Sequence, residues 1–121
     1  MPENISLKIY TPDRTAFDKK VYRVVLPYGK VNLTIIEGRA PTSMVFNAGV
    51  LKILDSDNKV SNYYFIDDGI ADIANNECRI STTRFIEHSQ IDINSALEWK
   101  EKEAHSADFY QMVIDYLNTQ Q

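Results

Sequence analysis

The chain has a single cysteine, Cys78, only two histidines, His88 and His105, and no glycine or proline beyond Gly69. One cysteine excludes an intramolecular disulfide, so nothing points to an oxidising compartment. Two histidines far apart in sequence, with one distant cysteine, leave no cluster with metal-ligand spacing. Gly29 and Gly38 stand alone with no Lys-Ser/Thr after them, so there is no phosphate-cradling loop. No apolar run approaches the ~20 residues that a membrane helix needs. Met1 to Asn4 shows neither a basic segment leading into an apolar stretch nor an Arg-rich transit pattern, so no signal or transit peptide is expected. A net charge of −4 argues against nucleic acid as a partner.

What is present is ordinary for one globular domain: 121 residues, 44% apolar and 25% charged. A chain of this size buries roughly 65% of its unfolded surface and holds a core without staples. The charge is unevenly placed. Residues 1–86 carry eleven Lys/Arg and ten Asp/Glu, a net of +1; residues 87–121 carry two Lys and seven Asp/Glu, a net of −5.

The pattern changes at the same point. Ile5, Leu7 and Ile9 alternate with polar neighbours, as a half-buried strand requires. Thr11-Pro12-Asp13 is a turn. Further strands read from Val21 to Leu26, stopped by Pro27 and Gly29, and from Val31 to Ile36, ended by Glu37-Gly38. Val50 to Leu54, the polar tip Asp55-Ser56-Asp57-Asn58, and Val60 to Ile66 form a hairpin. Asp67-Asp68-Gly69 leads to Ile70–Ile73, and Asn75-Asn76 to Cys78–Thr83. About eight short strands at intervals of roughly ten residues predict an antiparallel β-sandwich or barrel.

After Glu87 the period becomes helical. Asp92 is placed to cap a helix on which Ile93, Ala96, Leu97 and Ala104 share a face. His105-Ser106 interrupts the pattern, with Ser106 or Asp108 as the next cap, and Phe109, Val113, Tyr116 and Leu117 form a second stripe. Two short antiparallel helices are favoured over one long helix, because helices of ~14 residues are marginal without packing partners. The expected division is a β-sandwich over residues 1–87 and a short helical hairpin over 88–121.

Groups that could carry chemistry have plainer readings. Asp55-Ser56-Asp57-Asn58 resembles the opening of a calcium loop, but Val60 stands where glycine is needed and Ile66 where glutamate is needed. Asp67 and Asp68 are adjacent, so on a strand they point to opposite faces. Cys78 lies within a strand pattern and reads as a buried small hydrophobe rather than a nucleophile served by His88. Among Tyr63, Tyr64 and Phe65, at least one must lie on the face opposite its neighbours. Trp99 reads first as packing against a helix or the sandwich and second as an anchor for a partner. The chain is therefore read as a binding or assembly component with no cofactor, no metal and no active site.

The order of punctuation resembles one family. Tyr28-Gly29-Lys30-Val31-Asn32-Leu33-Thr34-Ile35-Ile36-Glu37-Gly38-Arg39-Ala40-Pro41 is similar to the segment Gly-x-Leu-Gly-Ile-Leu-Pro-Gly-His-Ala-Pro of F-type ATP synthase epsilon subunits. Ala48 to Ile53 resembles that family's Pro-Gly-Val-Leu-Arg-Ile strand, Asp68 to Glu77 its Gly-Gly-Phe-Ala-Glu-Val segment with an Asn-Asn turn, and Leu7 to Asp18 its opening strand and turn with Phe17. The resemblance runs over residues 5–86 and more weakly to about 97.

It implies a ten-stranded β-sandwich followed by a two-helix hairpin, mainly β with C-terminal α. It also implies a non-catalytic rotor subunit of the central stalk, bound to gamma and the c-ring, that couples proton or sodium flow to ATP synthesis. The implied location is peripheral, on the cytoplasmic side of a bacterial plasma membrane, without direct membrane insertion. Where relatives approach the c-ring, this chain has Asn32, Glu37 and Arg39, the implied ring contacts; Thr34, Glu37 and Arg39 replace the family's glycine, proline and histidine. The large tail residues Trp99, Phe109 and Tyr116 are the implied tail contacts, with the beta subunit as a further partner. Ile91-Asp92-Ile93-Asn94-Ser95-Ala96 stands where some relatives bind ATP through Ile-Asp-x-x-Arg-Ala; Ser95 removes the phosphate-pairing arginine. Residues 103–121 contain no Lys or Arg, and the tail ends about 15 residues earlier than in relatives whose basic last helix inhibits hydrolysis. Weak ATP binding and weak inhibition are expected.

Overall fold

A computed structural model describes residues 4–119. Ten strands form two five-stranded sheets. They are β1 Ile5–Thr11, β2 Arg14–Val21, β3 Arg23–Tyr28, β4 Val31–Ile35, β5 Thr42–Phe46, β6 Gly49–Leu54, β7 Val60–Ile66, β8 Gly69–Ala74, β9 Glu77–Thr82 and β10 Phe85–Glu87. The first sheet has the order β2-β1-β9-β8-β5 and the second β10-β7-β6-β3-β4. All pairs are antiparallel except β1 with β9, where Leu7 lies opposite Cys78. A 3-10 turn at His88–Gln90 leads to helix α1 (Ile93–Lys102), a second 3-10 turn at Ala104–Ser106 and helix α2 (Ala107–Thr119).

The strand alternation does what period two requires. Ile5, Leu7, Ile9, Phe46, Ala71, Ile73, Cys78 and Ile80 of the first sheet meet Val24, Leu26, Ile35, Leu51, Ile53, Tyr64, Ile66 and Phe85 of the second in one core. Phe17 closes one side of the sandwich, edge-on to Tyr64 at 5.7 Å and to Phe85 at 6.3 Å.

Three strands absent from the alternation pattern, β2, β5 and the three-residue β10, complete the ten. β2 is mostly exposed, and a bulge opposite Ile9 and Tyr10 breaks its period. β5 buries fully only Phe46 of its five residues. The strand expected from Val21 to Leu26 is divided at Tyr22, where the chain leaves one sheet for the other. β3 also runs through Pro27 instead of stopping there. Its ladder with β6 ends at the Val25–Lys52 pair, so on that side Pro27 removes no rung. At Gly69 a Cβ would collide with the Ser81 carbonyl of the neighbouring strand, so no larger residue fits.

The helical hairpin packs on the outer face of the second sheet. β7 supplies both layers: Tyr64 and Ile66 point into the sandwich, while Tyr63 and Phe65 point outward under the helices. Phe65 forms a second core with Ile91, Ala96, Phe109, Tyr110, Val113 and Ile114. The helical stripe of α2 is as patterned, but that of α1 is not. Leu97 is 48% exposed and Ala104 lies exposed in the inter-helix turn, so α1 buries only Ala96 fully. Asp92 caps α1, its Oδ1 accepting from the Ser95 amide at 2.7 Å.

The two sheet faces make a sharp contrast testable by urea unfolding. Leu51→Ala, fully buried between the sheets, is expected to cost about 3 kcal/mol. Val45→Ala, 71% exposed on the other sheet's outer face, is expected to change stability by less than about 0.5 kcal/mol.

Candidate functional site

Neither alternative chemistry assembles. Cys78 is buried in the sandwich core, and burial, assisted by the Asp72 charge, pushes its thiol up to about 12. His88 lies outside the second sheet, stacked on Tyr63 at 4.2 Å. Asp67 accepts from the Asp68 amide and the Thr83 hydroxyl, which is turn chemistry. Asp55 turns its carboxylate onto the amides of Asp57 and Lys59 in its own hairpin tip. Among the described residues no group of three His, Cys, Asp or Glu could hold a metal ion. The site question is therefore one of surfaces.

The first surface is β4 and the loop after it. Asn32 lies on the outward side of β4, lining a groove with Pro27, Val50, Met112 and Tyr116 beneath the end of α2. Glu37 and Arg39 lie beyond the opposite end of the strand. Asn32 and Ile35 alone are three residues apart, roughly 10 Å of strand, so Asn32 does not share a patch with the other two. Glu37 accepts from the Asn4 side chain at 2.7 Å. Gly38 adopts φ +80, a backbone state that favours glycine, and its amide donates to Asn76 Oδ1 at 2.7 Å. That bond pins the loop to the β8–β9 turn. Arg39 is partly buried among Ile35, Ile36 and Ile73; its Nε has no hydrogen-bond partner, and among the described residues no ion pair joins it to Glu37.

The second surface is the outer face of the first sheet, which no helix covers. Register places Val45 beside Ile70, Ile70 beside Ser81, and Ser81 beside Tyr10, in one row across four strands. Val45 and Ile70 are 71% and 52% exposed. The adjacent row is polar: Ser43 donates to Asp72 at 2.6 Å, and Glu77 pairs with Lys8 at 3.3 Å and Arg79 at 2.9 Å. The sequence carried a signal for this surface that its pattern reading passed over. Ile70 and Val45 are apolar but out of phase with the buried Ala71, Ile73 and Phe46 of their own strands.

The third surface is the tail. Phe109 is 2% exposed and Tyr116 sits over Tyr63 and Phe65 at 5.6 and 5.7 Å, so both are occupied within the chain. Trp99 is 46% exposed and stacks on Tyr110 at 6.5 Å, with Lys102 Nζ 5.5 Å from its ring. The motif segment Ile91–Ala96 is spent on structure: Ile91 and Ala96 are buried and Asp92 is the cap.

The sandwich is matched by the model of the ATP synthase delta/epsilon chain β-sandwich domain over residues 4–88. An ATP synthase epsilon chain of Lawsonia intracellularis is 33% identical over 103 residues, spanning 84% of this chain and 75% of its own. The chain belongs to the ATP synthase delta/epsilon family. A chloroplastic epsilon chain of Pyropia yezoensis is 30% identical over 95 residues, spanning 76% of this chain and 67% of its own. The fold recurs in a chain of the Euglena gracilis mitochondrial ATP synthase with a TM-score of 0.74 at 15% identity, covering 98% of this chain and 82% of that one. A chain of the Tetrahymena thermophila mitochondrial ATP synthase central stalk and c-ring gives 0.57 at 16% identity, covering 91% and 96%. Epsilon chains are structural and regulatory subunits rather than catalytic ones, so the chain is not an enzyme.

Acid should loosen the tail. Glu87, Asp92 and Glu103 are held below the usual carboxylate range, chiefly by bonds from Ser89, the Ser95 amide and Arg84 respectively. A carboxylate depressed in the fold stabilises it fully above its unfolded value of about 4.3 (about 3.9 for aspartate), and that contribution is lost as pH falls through the lowered value. Trp99 fluorescence and helix amide exchange are expected to report tail loosening as pH falls below about 4.3.

Proposed function

We propose that the chain is the epsilon rotor subunit in the central stalk of an F-type ATP synthase, joining gamma to the c-ring and coupling ion flow to ATP synthesis. The observation that carries this reading is the delta/epsilon sandwich over residues 4–88. Such a subunit needs surfaces rather than a reaction centre. The open face of the first sheet, with Tyr10, Ile70 and Val45 in a row, is the face we assign to gamma, because the hairpin already occupies the other. One end of β4 faces the polar loops of the c-ring: either the Asn32 end or the Glu37–Arg39 end. The subunit is peripheral to the membrane, and no helix among the described residues is long and apolar enough to cross one.

A pull-down with the gamma subunit of the same organism is expected to retain the chain and to lose it on combined Val45→Asp and Ile70→Asp substitution. Full retention by that variant would move gamma to another face. At about 0.1 M salt, Arg39→Glu and Asn32→Asp tested separately on isolated c-ring should weaken binding at one end of β4 only, since screening over ~10 Å at that ionic strength keeps such effects local. No loss with either variant removes β4 from the contact.

The tail carries little regulation in this reading. Ser95 offers no fixed cation for a phosphate, and Arg84, the tail's nearest guanidinium, is engaged by Glu103. The last helix also lacks the basic residues through which some relatives inhibit hydrolysis. Titration calorimetry with ATP is expected to give no micromolar binding. Deleting residues 88–121 is expected to raise ATP hydrolysis of the assembled complex by less than about twofold, where a barrier change of 1.4 kcal/mol would give about tenfold.

A further inference from the structure

One carboxylate joins three parts of the molecule. Glu103 follows α1, and its amide donates to the Trp99 carbonyl at 2.8 Å, ending the helix. Its Oε1 accepts from Arg84 Nη2 at 2.9 Å and from the Tyr110 hydroxyl at 3.1 Å. Arg84 belongs to the sandwich, in the turn before β10, and Tyr110 belongs to α2. The other arm of Arg84 lies 3.7 Å from Asp67 on the turn after β7. The three side chains of this charge network are only 19–30% exposed, so screening is incomplete. Among the described residues, Arg84–Glu103 is the only ion pair between sandwich and helices.

We propose that Glu103 is a latch that couples two motions of the tail: docking of the hairpin on the sandwich, and closure of α1 on α2. The Arg84 bond exists only while the hairpin is docked. The Tyr110 bond exists only while the hairpin is closed. In a continuous helix Glu103 and Tyr110 would stand seven residues, about 10.5 Å of rise, apart; the turn at Ala104–Ser106 brings their side chains to 3.1 Å. Because both bonds end on the same oxygen, Arg84 holds the carboxylate where Tyr110 can reach it. Losing Arg84 frees Glu103 to turn to water and weakens closure too. The apolar contacts of Phe65, Phe109 and Val113 supply most of the docking free energy; the latch makes undocking and opening happen together. It acts within the chain itself, with or without synthase partners.

Native-state hydrogen exchange on the full chain tests the coupling in a double-mutant cycle of Arg84→Ala and Tyr110→Phe. The second substitution keeps the ring stacked near Trp99 and removes only the hydroxyl. Arg84→Ala is expected to speed exchange of α1 and α2 amides together by ~10-fold, while the β1 and β8 core amides are unchanged. Tyr110→Phe is expected to act strongly in the parent and weakly after Arg84→Ala, a departure from multiplicative effects of at least ~3-fold. Should Arg84→Ala disturb the sandwich amides, Arg84→Gln, which keeps most of the side-chain stem, is read in the same way. Helix exchange within ~2-fold of the parent, or effects that simply multiply, would overturn the latch.

Discussion

Strand β7 is apolar on both faces, and covering both of them organises the molecule. Tyr64 and Ile66 need the opposing sheet; Tyr63 and Phe65 need something on the outside. A sandwich alone would leave Phe65 and the neighbouring Val50 and Ile86 in water. The hairpin supplies the missing layer, since α2 brings Phe109, Val113 and Ile114 onto Phe65. Burying a large apolar side chain is worth roughly 1.5–3 kcal/mol, so a cluster of this kind outweighs any single polar contact at the junction. Sheet, cover and exposed sheet follow in that order, because once one outer face is used only the other remains open.

The asymmetry has a functional consequence. In the stalk role we propose, the useful property of the chain is a sandwich with one sheet face left free. The polar groups of the free sheet are engaged with one another, Lys8 and Arg79 with Glu77 and Ser43 with Asp72. They leave Val45 and Ile70 as the apolar element beside them. The loop after β4 is equally fixed, through Gly38 and Asn76. The tail differs in kind, because its short helices depend on a surface they do not own.

Much of the sandwich was legible because alternation of apolar and polar residues is a local property. Ile5, Leu7 and Ile9 announce their face without knowledge of any partner strand. β2 and β5 were not legible in that way: β2 is an edge strand with a bulge, and β5 has one fully buried residue. The continuation of β3 through Pro27 was hidden for a related reason, since a proline is tolerated only where the neighbouring ladder has ended. Those facts belong to pairing, and pairing is long-range. The family resemblance implied the full count of ten strands where periodicity alone did not.

The sequence by itself determined the class of the fold, the place where strands give way to helices, and the acidic, arginine-poor tail. Each follows from residue types and their spacing along the chain. Only the tertiary structure decided that Tyr10, Ile70 and Val45 share a row, and that Arg84, Glu103 and Tyr110 meet. Arg84 and Glu103 are nineteen residues apart, with a strand, a turn and a helix between them. Their contact is set by where the hairpin lands on the sheet, and that is settled by the two-faced packing of β7 rather than by any pattern near either residue.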